Sequence, residues 1–226
     1  TLRNIGFGSE ATKLAEESYN TAVKPEIKFG AANLLSLLAM TVKERIHWLE
    51  KSDTKSLSVS VDLITNKAQL EEENSRFDQA AKKYREAIKL AEGLPESAAT
   101  FNNTALIYLA LYRVTHEKPA LDHGIALMQK ALALNPADSI LLSNVSNNLV
   151  QSGLMEVIGD KVDFALIKQQ ASFEMLSYLY DNEEEENRYQ AALLNNKNIA
   201  TAIEYLKRSI LLSPKDPKNF YTLYQI

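Results

Sequence analysis

Three asparagines in this sequence have the chemistry and the spacing needed to bind a polypeptide backbone. Each one stands two residues before a small residue of an apolar segment; the pairs are Asn66 with Ala68, Asn103 with Ala105, and Asn144 with Ser146. A carboxamide offers two N–H donors and a carbonyl acceptor, so it can pair with a peptide N–H and C=O without reading the peptide's side chains. Spaced one per structural unit, such amides would follow an extended segment.

The residue types used in catalysis form no comparable constellation in the sequence. The histidines, His47, His116 and His123, include no pair three or four residues apart, which is the spacing of a helical metal site. The glycines are too isolated for a phosphate-binding loop, and no serine stands in a Gly-x-Ser-x-Gly turn. We therefore expect no enzymatic activity, no catalytic residues, no metal and no cofactor.

The elements that must position the asparagines carry a recurrent helical pattern. A small residue is followed by a bulky one four positions later and by a second small one after three more. The pattern occurs at Ala80-Tyr84-Ala87, Gly124-Met128-Ala131, Ala202-Leu206-Ser209 and, near the start, Ala15-Tyr19-Ala22. These offsets put all three side chains on one helix face. Small residues there let two helix backbones approach, and the bulky one fills the gap between them.

This spacing, with the terminating prolines Pro136 and Pro214, resembles the tetratricopeptide repeat (TPR) family. One helical pair of this kind cannot bury its own apolar face, so neighbouring pairs must stack. The resemblance implies an all-α fold, an α-solenoid in which antiparallel helix pairs stack into a right-handed superhelix. It is specific over residues 57–153 and 199–214 and weaker elsewhere.

Length and pattern together predict one TPR-like repeat domain over residues 1–226. At about 34 residues per repeat, the chain is long enough for roughly four to six helical pairs. We expect degenerate helices over 1–56, the best-formed repeats over 57–153 and divergent repeats over 154–226. Because repeats are cut off at both ends, we interpret the sequence as a fragment of a longer chain.

Several local features follow from the pattern. We predict a helix over 9–24 that Pro25 stops, then one long helix or two with a tight break over 28–51. An insertion should lengthen the turn over 112–120, Gly153 should be a turn glycine, and a loop should follow it over 154–160. Near the end, we expect a helix over 162–180, a helical pair formed by 188–196 and 198–212, and a truncated repeat or capping helix over 216–224.

The TPR resemblance also implies a binding site. In TPR proteins the residue two before the small site of each first helix faces the concave groove, which makes Asn66, Asn103 and Asn144 an asparagine ladder for a peptide backbone. The same register adds further peptide-binding residues, which are Asn102, Gln69, Asn147 and Gln151. It also places Asp62, Thr65, Glu72 and Ser143 in the groove lining. The alternative is that the asparagines cap local turns or occur by chance in an asparagine-rich chain.

The predicted lining favours an uncharged or basic ligand. TPR proteins that hold a C-terminal carboxylate use a lysine and arginine clamp, whereas those positions here carry Thr65, Gln69 and Ser143, so we expect no carboxylate clamp. An extended peptide or an inserted helix of a partner protein fits better. The formal charge of −4 and the absence of a Lys/Arg block weigh against direct nucleic-acid binding.

Other classes of protein are disfavoured by composition. The longest apolar stretch, 31–42, is too short to span a membrane and is followed by charged residues. The chain has no cysteine, which excludes disulfides and thiolate metal sites and leaves the compartment open, with the cytoplasm as our preference. We predict a non-enzymatic interaction module or scaffold that binds a peptide or helix of a partner in its concave groove. The alternatives are a regulatory or sensor array of a longer multidomain protein, a self-associating array, and a small-molecule pocket under the 112–120 insertion.

Overall fold

In a computed structural model of the protein, residues 8–158 and 183–215 are described, and every regular element in these two ranges is an α-helix. The helices are α1 (Gly8–Thr21), α2 (Pro25–Leu38), α3 (Val42–Glu50), α4 (Leu57–Glu73), α5 (Phe77–Ala91), α6 (Ala98–Thr115), α7 (Lys118–Leu134), α8 (Ser139–Ile158), α9 (Glu183–Leu194) and α10 (Lys197–Leu212). The predicted all-α class is confirmed. The helix expected over 162–180, the segment over 216–224 and the first seven residues lie outside the described residues.

The chain folds as two compact units. Unit 1 comprises Thr1–Glu96 and Leu106–Ala120, and unit 2 comprises Ser97–Ala105 and Leu121–Ile226, so α6 and α7 contribute residues to both. In unit 1, α1 packs against α2, α2 against α3, α3 against α4 and α4 against α5. In unit 2, α8 packs against α10, and Ala131 and Leu132 of α7 form a buried cluster with Leu141 and Leu142 of α8. Consecutive packing of this kind is what a repeat fold requires, because each element buries its apolar face against a neighbour.

The small-bulky-small triplets of α5, α7 and α10 are buried, as their spacing predicts. Tyr84 is 1% exposed between two fully buried alanines of α5, and Leu206 is fully buried between Ala202 and Ser209 of α10. Met128 of α7 is fully buried as well. A bulky side chain that loses nearly all contact with water contributes roughly 1.5–3 kcal/mol to folding. The predicted register of these helices is therefore confirmed.

The N-terminal segment resolves into separate helices. Pro25 occupies the first turn of α2, where its missing N–H costs no helical hydrogen bond. The break after α2 ends at Thr41, whose Oγ1 accepts a hydrogen bond from Glu44 N at 3.1 Å, while the Glu44 carboxylate accepts one from Thr41 N at 3.2 Å. This capping box starts α3, so the second of the two alternatives for residues 28–51 is the correct one.

The insertion expected to lengthen a turn over 112–120 lengthens helices instead. Helix α6 continues to Thr115 and α7 begins at Lys118, which leaves only two residues between them. His116 adopts a left-handed φ of 58°, and Glu117 N donates to Thr115 Oγ1 at 3.2 Å. Pro119 follows in the first turn of α7, where proline is tolerated. The extra residues therefore extend the two helices on either side of a tight turn.

Two predictions around Gly153 are wrong, and packing explains both. Helix α8 runs on to Ile158, so Gly153 lies inside a helix and residues 154–158 are not a loop. A Cβ at Gly153 would stand 2.7 Å from Ile199 Cγ1 and 2.8 Å from Asn196 Oδ1. The glycine is needed because α10 approaches the α8 backbone closely, and not because a turn requires its conformational freedom.

The helical pair expected from 188–196 and 198–212 is not the main packing of this region. Helix α10 packs chiefly against α8, with Ser209 Oγ donating to Ser139 O at 2.9 Å and Asn198 Nδ2 donating to Ser152 Oγ at 3.2 Å. Helices α8 and α10 thus form one antiparallel pair, although residues 159–196 lie between them in sequence. Within residues 8–158 and 183–215, no helix combines the length and hydropathy needed to cross a membrane.

Candidate functional site

Three of the asparagines predicted to bind a peptide come together in unit 2. Asn144 Nδ2 on α8 donates to Asn102 Oδ1 on α6 at 3.1 Å, and Asn102 Nδ2 donates to Asn103 Oδ1 at 3.3 Å. The three side chains therefore form a continuous row of hydrogen-bonded carboxamides, which we call the amide chain. It links two helices that the TPR resemblance identifies as first helices of successive repeats.

Helix geometry explains why these asparagines lie at the surface. Ala105 and Ser146 are fully buried, and Ser146 Oγ donates to Leu142 O within α8 at 2.6 Å. Two residues correspond to a rotation of about 200° around a helix. Asn103 therefore lies away from the packed side and is exposed, while Asn102 and Asn144 are half-buried.

The amide chain has hydrogen-bonding capacity to spare at both ends. Within the described parts of the chain, both N–H groups of Asn103 Nδ2 and the Oδ1 acceptor of Asn144 have no hydrogen-bond partner in the protein. A donor at one end and an acceptor at the other match the alternating C=O and N–H groups of a polypeptide. The bonds between the asparagines hold the side chains in place before a ligand arrives.

The backbone beneath the amide chain is fixed by a residue that the sequence analysis did not single out. Asn148 is 8% exposed, and its Nδ2 donates to Asn144 O at 2.7 Å and lies 3.3 Å from Met128 Sδ. In the sequence, only its position one helical turn after Asn144 indicates this role for Asn148. Asn147 is half-buried on α8. The side chain of Gln151 lies outside the described residues.

Asn66 belongs to unit 1 and has partners inside the protein. It is 8% exposed, its Oδ1 accepts a hydrogen bond from Arg45 Nη1 at 3.2 Å, and its Nδ2 donates to Asp62 O at 2.7 Å. The contact with Arg45 ties α3 to α4, and the contact with Asp62 lies within α4. Gln69, one turn further on, is half-buried, and its Nε2 donates to Glu73 Oε1 at 3.3 Å. Asn66 therefore contributes to packing within unit 1.

Glu72, which the register places in the groove lining, is the centre of a hydrogen-bonded group in unit 1. Arg113 binds its carboxylate through two N–H groups, Nε at 2.5 Å from Oε1 and Nη2 at 2.7 Å from Oε2. Tyr84 Oη also donates to Oε2, at 2.8 Å. Paired, two-point contacts of this kind are strong and directional. This triad connects α4, α5 and α6.

The triad shifts the titration of two of its members. Burial raises the pKa of Tyr84 well above its ordinary value of 10.0, and the charge and hydrogen bond of Glu72 raise it further, against the smaller opposing effect of Arg113. Burial alone would lower the pKa of Arg113, but its hydrogen bonds to Glu72 and the charge of that carboxylate raise it. The folded state therefore favours a neutral tyrosine and a charged arginine.

The raised pKa of Tyr84 predicts a loss of stability at alkaline pH. Above about pH 10 the unfolded chain releases the phenolic proton while the folded chain keeps it, so this group lowers stability by up to about 1.4 kcal/mol per pH unit. In Tyr84→Phe this part of the pH dependence should vanish. The free energy of unfolding at neutral pH should be about 1 kcal/mol lower, because one hydrogen bond is lost. Urea denaturation of both proteins between about pH 8 and pH 11 measures the effect. Parallel stability curves for the two proteins would contradict it.

Comparison with known proteins adds a similarity of low identity. No family model matches the sequence, and no curated protein matches it. Among solved structures, the chain is similar to that of YrrB, a TPR protein with an unusual peptide-binding site. The two chains are 17% identical, the alignment covers 95% of this chain and 97% of the other, and the TM-score is 0.33.

Within residues 8–158 and 183–215, no group of three or more histidine, aspartate or glutamate side chains is arranged to hold a metal ion.

Proposed function

We propose that this protein is a non-enzymatic interaction module that binds an extended peptide segment of a partner protein through the amide chain of unit 2. The observation that carries the proposal is the hydrogen-bonded row formed by Asn102, Asn103 and Asn144 across α6 and α8. The row is preorganised, is accessible at Asn103 and has unused donors and an acceptor. These are the properties expected of a site that reads the backbone of a ligand.

The chemistry of the site suggests which segments it binds. Carboxamides pair with peptide groups regardless of side chain, so the site would tolerate many sequences and select for an extended backbone. Each such hydrogen bond contributes a net of about 0.5–1.5 kcal/mol, so contacts at both ends of the amide chain are needed for measurable affinity. The formal charge of −4 favours the approach of uncharged or basic segments over acidic ones.

A peptide-selection experiment tests this function. Peptides selected from a random displayed library on the wild-type protein would be synthesised, and their dissociation constants would be measured by fluorescence anisotropy. The Asn103→Ala/Asn144→Ala variant should bind them about tenfold or more weakly, because it removes both outer ends of the amide chain. Circular dichroism must first show that the variant is as helical as the wild type.

A matched asparagine variant serves as the control. Asn187 and Asn195 also belong to unit 2 and are exposed, and Asn195 Nδ2 donates to Ala191 O of the preceding helix at 2.8 Å. Asn187→Ala/Asn195→Ala should leave the dissociation constant within about twofold of the wild type. Equal losses in the two variants, or a selection that enriches no peptide, would refute the proposal.

A further inference from the structure

Unit 1 carries a pair of aromatic rings at the place where α1 meets α3. Tyr19 and Trp48 are both half-buried, and their rings contact each other edge to face with centroids 5.3 Å apart. Trp48 is the only tryptophan of the chain. The Trp48 ring also meets the His47 ring edge to face, with centroids 5.2 Å apart, and both Tyr19 and Trp48 remain partly accessible to a ligand.

Two lysines converge on these rings from different elements. Lys28 Nζ of α2 lies 4.8 Å from the centroid of the Tyr19 ring. Lys51 Nζ, directly after α3, lies 4.7 Å from the nearest Trp48 ring centroid and 5.5 Å from that of Tyr19. Both lysines are exposed residues. We call these four residues the lysine–aromatic cluster.

The backbone that carries the cluster is held in place. Ser52 is 6% exposed, and its Oγ donates to Phe29 O at 3.2 Å, which ties the end of α3 to α2 next to both lysines. The backbone N–H groups of Lys51 and Ser52 donate to Trp48 O and Leu49 O, each at 3.1 Å. A ligand would therefore meet side chains whose anchoring points are already ordered, which lowers the entropic cost of binding.

The cluster has positive charge without a matching carboxylate. In the described parts of the chain, neither Lys28 nor Lys51 has an acidic group within ion-pair distance, whereas Lys67 is paired with Glu50 at 2.8 Å. Aromatic faces attract ammonium groups but do not neutralise them. Two ammonium groups beside the same tyrosine ring repel each other, and a bound anion would reduce that repulsion.

We propose that the lysine–aromatic cluster binds the carboxylates of an acidic peptide segment of a partner protein. The ammonium groups of Lys28 and Lys51 would pair with aspartate or glutamate side chains, and the methylene groups of those side chains would pack on the open parts of the rings. This surface lies in unit 1 and prefers the opposite charge to the ligand of the amide chain. It is therefore a second binding site, independent of the proposed function.

Neighbouring charges favour a short acidic peptide over a long polyanion. Helix α1 exposes Glu10, Glu16 and Glu17, and Glu26 stands in the first turn of α2. A nucleic acid that placed phosphates on the two lysines would bring further phosphates towards these carboxylates, and like charges repel. A peptide with one or two carboxylates can satisfy the lysines without extending over the acidic residues.

Fluorescence of Trp48 provides a direct test, because the only tryptophan is inside the site. The probe is a short alanine-based peptide that carries two glutamates, titrated into the wild-type protein at low and at physiological ionic strength. We expect a saturable change in tryptophan emission that weakens as salt is added. Lys28→Gln/Lys51→Gln should weaken binding at least about tenfold, and Lys28→Arg/Lys51→Arg should retain it, because arginine keeps both the charge and the contact with aromatic faces.

A charge-matched control separates this site from general electrostatic attraction. Lys82 and Lys89 are exposed on α5 of the same unit, so Lys82→Gln/Lys89→Gln removes the same charge elsewhere and should change the affinity by less than about twofold. Three results would overturn the proposal: no saturable change, equal weakening in both glutamine variants, or tighter binding of a single-stranded oligonucleotide of equal charge. The Asn103→Ala/Asn144→Ala variant should bind this acidic probe like the wild type whether or not the amide chain binds peptides.

Discussion

Replacing Gly153 by valine is expected to lower the free energy of unfolding by about 3 kcal/mol, because α8 and α10 leave no room for a side chain between them. A Cβ at this position would lie 2.8 Å from Ile199 Cδ1 and 2.7 Å from Ile199 Cγ1. Ile199 is 2% exposed and β-branched, so it cannot turn aside without clashing elsewhere. Urea denaturation monitored by circular dichroism measures the change.

A second glycine provides the matched comparison for this prediction. Gly30 also lies inside a helix, but a Cβ there would meet nothing within 4 Å. Gly30→Ala should therefore raise the free energy of unfolding by about 0.5–1 kcal/mol, which is the difference between the helix propensities of the two residues. If Gly153→Val were as stable as the wild type, this result would contradict the close packing of α8 on α10.

Replacing Glu72 by alanine is expected to lower the free energy of unfolding by about 3 kcal/mol. The substitution leaves the Arg113 guanidinium, whose side chain is only 29% exposed, without its anionic partner, and it also leaves the Tyr84 hydroxyl without an acceptor. Removing one member of a buried ion pair costs more than the pair contributes, because the remaining charge is poorly hydrated. The expected loss is at the low end of the roughly 3–5 kcal/mol typical of a broken buried ion pair, because water still reaches part of the arginine.

The exposed pair of Lys67 and Glu50 is the control for the Glu72 prediction. Its side chains are 40% and 51% exposed, so Lys67→Ala should change the free energy of unfolding by less than about 1 kcal/mol. Replacing Glu72 and Arg113 together by apolar residues should recover part of the stability that Glu72→Ala loses. An effect of Glu72→Ala no larger than that of Lys67→Ala would mean that the triad does not stabilise unit 1.

The helices and their buried faces were predictable from sequence because they depend on the spacing of residues within a single helix. The triplet around Tyr84 and that around Leu206 repeat offsets that place side chains on one helix face, and both proved to be buried as expected. The class of fold and the position of most helices followed from the same spacing. Helix ends were less predictable: α1 ends at Thr21, three residues before the predicted end, because the chain turns before Pro25.

The pairing of α8 with α10 was not predictable from neighbouring segments. Pattern analysis pairs helices that are adjacent in sequence, and residues 159–196 separate these two. Gly153 is the residue in the sequence that reflects the close packing of α8 on α10. A glycine that permits close approach and a glycine that permits a turn are, however, identical in sequence. Only the position of Ile199 above it distinguishes the two.

The candidate site was predictable in part. The register that selected Asn103 and Asn144 also selected Asn66, yet the structure gives Asn66 two partners within unit 1 through Arg45 and Asp62. Arg45 precedes Asn66 by twenty-one residues, and no local pattern connects them. The hydrogen bond between Asn144 and Asn102 is likewise a contact between distant segments, which spacing alone does not reveal.

The measurement that tests the central proposal most directly is a nuclear magnetic resonance titration of the asparagine side-chain amides with a peptide selected on the wild-type protein. If the amide chain binds the peptide backbone, the side-chain N–H resonances of Asn103 and Asn144 should shift in proportion to the bound fraction, and those of Asn66 should not move. If the peptide binds while the resonances of Asn103 and Asn144 stay in place, its site lies elsewhere and the proposed function of the amide chain is wrong.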